Sequence, residues 1–124
     1  MTGFSPRERV ASSWNALVIR ERPTAEEAEQ IKSAKSQRGV QMAVDVLRRV
    51  VAVGFYADCA AALLEDGSRQ EDIWGLDWLP DSKQVLFDKS PLNIRPNAGN
   101  GSMTINDPHV RALVEEIVRA RLES

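Results

Sequence analysis

The chain has 124 residues, 43% of them hydrophobic and 27% charged, enough for one domain with its own core and too few for two. Sixteen Lys and Arg against eighteen Asp and Glu leave a formal charge of −2, which argues against nucleic-acid binding, since that needs a basic field over one face. A single cysteine, Cys59, excludes an internal disulfide and a cysteine metal cluster and points to a reducing, cytoplasmic setting.

The opening stretch MTGFSPRERVASS lacks the apolar run of a signal peptide. Residues 1–13 are read as a tail or short helix, with a capping box at Ser5-Pro6-Arg7-Glu8, and residues 14–124 as the domain. Ala16-Leu17-Val18-Ile19 is a short apolar, partly β-branched run, the mark of a buried strand. Thr24-Ala25-Glu26-Glu27 forms a second capping box, opening a helix whose acids come early and whose bases Lys32, Lys35 and Arg38 come late. Its apolar stripe is poor, Ala28 and Ile31 being the main contributors, so it is expected at the surface or against a partner.

Val40 to Phe55 fits either a helix or two strands; its valine content favours strands, with a turn near Arg48-Arg49. The oiliest region, Val50 to Leu64, is broken by Gly54 and Asp58 and is too short for a bilayer, so no membrane association is expected. Asp58 is expected to cap a short helix over Cys59 to Glu65, closed by Asp66-Gly67. From Trp74 a period of two sets in, giving four strand candidates around Trp74-Leu76-Trp78, Val85-Phe87, Leu92-Ile94 and Met103-Ile105. Asp107-Pro108 then opens an amphipathic helix with Val110, Leu113, Val114, Ile117 and Val118 on one side. The fold class is α+β: an antiparallel or mixed sheet packed against helices on one face, with a C-terminal amphipathic helix.

If the alternating apolar residues face the core, Asp77, Asp88, Asn93, Arg95, Thr104 and Asn106 share the opposite sheet face. An ordinary wet sheet face gives the same pattern. Arg95 distinguishes it, because a guanidinium matches a phosphate or carboxylate bidentately. Asn97-Ala98-Gly99-Asn100-Gly101 matches no phosphate-loop fingerprint and reads as a turn. Asp58, Asp66 and Asp72 are the candidate acids or bases, and Trp74 and Trp78 are either core or stacking surfaces. Cys59 and His109 form the one available nucleophile–base pair, and a lone Cys and a lone His cannot make a usual zinc site. No metal or cofactor is expected.

Ala57-Asp58-Cys59, Leu63 through Gly75, Leu92-Asn93-Ile94-Arg95-Pro96, Asn100, Ser102-Met103 and Asp107-Pro108 together resemble an uncharacterised family of small bacterial proteins, the domain of unknown function 5674 type, most clearly over residues 57–108. The family pattern carries Glu-His where this chain has Phe55-Tyr56, and Arg where Gly101 stands, departures that weigh against an enzyme. The resemblance implies no activity, but its motifs include Asn93, Arg95 and Asn100, which become the preferred ligand-binding candidates, with Ser68 and Trp74 beside them. Two readings remain: a non-catalytic binding module for a small anionic ligand or protein partner, and a carboxylate-dependent hydrolase or transferase using Asp58, Asp66 or Asp72. A homodimer is compatible with either.

Overall fold

The computed structural model describes residues 15–34 and 39–122; the Ser5–Glu8 capping box, Lys35 and Arg38 lie outside them. Five strands form one antiparallel sheet in the order β1-β3-β2-β4-β5: β1 Ala16–Ile19, β2 Val40–Asp45, β3 Val50–Gly54, β4 Ile73–Leu79 and β5 Gln84–Leu86. Three helices accompany them: α1 Ala25–Ser33 between β1 and β2, α2 Tyr56–Glu65 after β3, and α3 Pro108–Leu122 at the end. No helix among the described residues is long and apolar enough to cross a membrane.

The α+β class, the antiparallel sheet and the C-terminal helix are as expected, and the sheet is also covered on its second face. Val40, Met42, Val44, Val51, Val53, Trp74, Leu76 and Trp78 meet Ile31 of α1 and Val114, Ile117 and Val118 of α3. On the other side Val18, Ala43, Ala52 and Ile73 meet Cys59, Ala62 and Leu63 of α2. Burial on both faces explains why 40–54 reads as a nearly continuous apolar run rather than a clean alternation.

The β2–β3 turn closes without Asn-Gly chemistry. Asp45, fully buried, accepts from the Leu47 and Arg48 backbone N–H groups, each at 2.9 Å, through Oδ1, and Arg49 takes the left-handed conformation at φ 60°. The β4–β5 turn repeats the device, with Lys83 at φ 58° donating its N–H to the Leu79 carbonyl at 2.7 Å. In α2 the helix begins three residues earlier than expected. Phe55 is the N-cap, Asp58 falls in the first turn, and Gln41 Oε1 accepts from the Tyr56 N–H at 3.1 Å. A neighbouring strand's amide thus does the work assigned to Asp58.

Two of the four expected strands after Trp74 do not form. Pro91–Asn93 and Pro96–Ala98 are single 3₁₀ turns, and 101–107 contains no strand. Two prolines within six residues remove donors a sheet ladder needs. In place of a strand, Ser90 presses on Gly75 of β4, where an added Cβ would lie 2.0 Å from Ser90 Oγ and 2.4 Å from its Cβ. Gly75→Ala is therefore expected to cost about 2 kcal/mol by overpacking, read from urea unfolding, and Gly75→Ala with Ser90→Gly to recover most of the loss.

Candidate functional site

The expected shared polar face dissolves with the missing strands. Leu92 packs toward α2, Ile94 and Met103 are exposed, and Asn93, Asn100 and Asp77 are buried. Asn93 has a structural task set by the β4 ladder. Val46 N–H bonds Asp72 O at 2.9 Å, and the alternation of an antiparallel pair then turns both backbone groups of Gly75 away from β2. β5 reaches β4 only from Asp77 onward. The Asn93 side-chain amide fills the gap: Oδ1 accepts from Gly75 N–H at 2.8 Å, and Nδ2 donates to Gly75 O at 3.1 Å and to Met103 O at 3.0 Å.

Asn100 continues the scaffold. Its Nδ2 donates to the carbonyls of Asn93 and Thr104, each at 2.7 Å, and its Oδ1 accepts from Asn106 N–H at 2.9 Å. Arg95 pairs with Asn100 through the backbone and lays its guanidinium 3.9 Å from the centre of the Trp74 ring. Arg95 Nη1 donates to Glu71 O at 2.7 Å, while Nη2 is buried with no partner among the described residues. Burial pulls the Arg95 pKa down, against the upward pull of Asp72 and Glu71. Asn93, Arg95 and Asn100 are thus contiguous, but both amides are committed to backbone.

The candidate carboxylates do not gather. Asp58 and Asp66 sit at opposite ends of α2, roughly 12 Å apart along its axis. Asp66 is clasped by Arg20 and by Arg48 Nη2, the latter at 2.7 Å, and Arg48 Nη1 also donates to Ser68 at 2.9 Å. Asp72 pairs with Arg69 at 3.0 Å. Among the described residues no three His, Cys, Asp or Glu side chains are placed to hold a metal ion. Cys59 and His109 do not meet either. Cys59 is buried under α2, while His109 is exposed on α3, which packs against the other face. Burial, aided by the Asp58 charge, pushes the Cys59 thiol far above its ordinary pKa.

A second site, which the sequence reading passed over, lies where α1, the β4–β5 turn and the end of α3 converge. A cavity of about 380 Å³ opens there, with Arg22, Lys32, Lys83 and Arg121 in its wall, within the roughly 300–1,000 Å³ typical of small-molecule sites. Ile31 and Trp78 line its buried side; Pro23, Ala28, Pro80 and Leu122 complete the lining. No Asp, Glu, His, Cys or Ser is among these residues. None of the four cations forms an ion pair with another described residue. Arg121 Nη2 donates to the Arg49 carbonyl at 2.9 Å, while its Nε is buried without a partner among the described residues. The signal in the sequence was the weak stripe of α1. With Ile31 its one buried residue, the helix cannot seal against the sheet along its length.

Two outcomes follow. Asn93→Ala leaves both buried backbone groups of Gly75 and the partly buried Met103 carbonyl without this partner and is expected to cost on the order of 3 kcal/mol, measured by urea denaturation. The Cys59 thiol is expected to resist a thiol reagent in the native protein even at pH 9, where an ordinary thiol of pKa about 8.5 is mostly ionised, and to react at once in denaturant.

Among known proteins, the family described as "Protein of unknown function (DUF5674)" matches residues 17–121. No curated protein and no solved structure matches the chain.

Proposed function

The chain belongs to this family, and we propose that it is a non-catalytic binding module for a small anionic ligand, held in the cavity between α1, α3 and the β4–β5 turn. The observation that carries this reading is four cationic side chains around one concavity with no carboxylate among them. Four like charges so placed repel one another, and an anion entering the cavity relieves that repulsion. Binding rather than turnover is supported by the lining, which offers no histidine, carboxylate, thiol or hydroxyl to move a proton or attack a substrate. The overall charge of −2 and the concave shape favour a small anion over a nucleic acid.

A thermal-shift series with small anions tests the proposal. A ligand at about tenfold its Kd stabilises the native state by about 1.4 kcal/mol, which raises Tm by about 5 °C for a chain of this size. Lys83→Gly should shrink that shift without harming the fold, because glycine is at ease at the φ of 58° that Lys83 adopts. Absence of a shift with every anion at millimolar concentration would remove the reading.

A further inference from the structure

We infer that the ligand of this cavity is a phosphomonoester with an apolar body, an inference that rests on the anion-binding reading above and narrows it. Three features of the cavity select this class. The first is charge. Arg22, Lys32, Lys83 and Arg121 face a single carboxylate with far more charge than it can answer, whereas a phosphate monoester brings about −1.5 to −2 at pH 7 and three acceptor oxygens.

The second is a guanidinium already set in place. Arg121 lines the cavity and is fixed by its Nη2 bond to the Arg49 carbonyl. A guanidinium already held in place by a backbone carbonyl loses little further freedom on binding, which suits it to phosphate.

The third is size. A volume of about 380 Å³ holds on the order of a dozen waters at ~30 Å³ each, several times what a bare phosphate fills. The remaining space is bordered by Pro23, Ala28, Pro80 and Leu122, which take an apolar group and not more charge. Glu21 and Asp81, the carboxylates nearest in the chain, are exposed and do not line it.

Titration calorimetry with phenyl phosphate, inorganic phosphate, benzoate and succinate tests the inference on the full chain. Phenyl phosphate is expected to bind at least tenfold tighter than each of the other three at pH 7.5. No histidine or carboxylate lines the cavity, so the group titrating near pH 6 is the phosphate itself, and its affinity should fall about tenfold between pH 7.5 and pH 5. Arg121→Gln should weaken phenyl phosphate tenfold or more and Lys83→Gly about threefold, both with native circular dichroism. Benzoate or succinate binding as tightly as phenyl phosphate would overturn the phosphomonoester and leave anion binding standing. Equal affinity for inorganic phosphate would overturn the apolar body. Silence from all four probes would take both readings down, and unchanged binding by Lys83→Gly would move the ligand elsewhere. Should Arg121→Gln fail to fold, the pH series and Lys83→Gly still decide.

Discussion

The structure depends on one amide. Gly75 lies in the middle of β4 with its N–H and C=O turned toward an edge that no strand covers, and Asn93 supplies both halves of the missing pairing from a single side chain. An unpaired backbone group in so buried a position costs as much as a lost hydrogen bond, so the segment carrying Asn93 has little choice of place. Consequences run down the chain. Asn100 holds the carbonyl of Asn93 and those of Ser102 and Thr104, and Ile105 N–H then reaches the Phe87 carbonyl at 2.9 Å. The Ile105 side chain is buried in the same cluster as Val114, Ile117 and Val118, which sets where α3 lies and so where Arg121 and Leu122 arrive. A cavity far from Asn93 owes one wall to it.

Charge is divided as carefully as shape. At the end of the sheet where β2 stops and α2 finishes, arginines and carboxylates neutralise one another: Arg20 and Arg48 on Asp66, and Arg69 on Glu71 and Asp72. Partly exposed pairs of this kind add little stability, and their effect is to leave no surplus field there. In the cavity the four cations have no acid beside them in the lining. A nearly neutral total thus conceals a strongly positive concavity, and net charge could not reveal it.

Much of the fold was legible. The buried run at Ala16–Ile19, the Thr24 capping box, in which both reciprocal bonds are present, the hairpin over 40–54 and the helix from Pro108 all follow from patterning and cap chemistry. The failures share a cause. Leu92-Ile94 and Met103-Ile105 alternate like strands, but alternation records only that every second side chain differs in polarity, and a chain wrapping round a sheet edge does the same. The prolines at 91 and 96 were the contrary signal. The amides of Asn93 and Asn100 bond backbone groups, and in sequence an amide spent on backbone looks identical to one awaiting a ligand. The cavity draws its cations from four separate segments, a juxtaposition that local pattern cannot disclose.

The attachment of α1 has a consequence for exchange with solvent. The helix carries its own capping box and is tied to the sheet through one buried side chain, Ile31, whose burial contributes about 1.5–3 kcal/mol, against the 5–15 kcal/mol that hold a whole domain of ordinary stability. Lifting α1 takes one residue, Ile31, out of one hydrophobic layer and leaves the layer under α2 untouched. The route into the interior therefore opens at lower cost than global unfolding, because an element held by one buried side chain belongs to the least stable part of a fold.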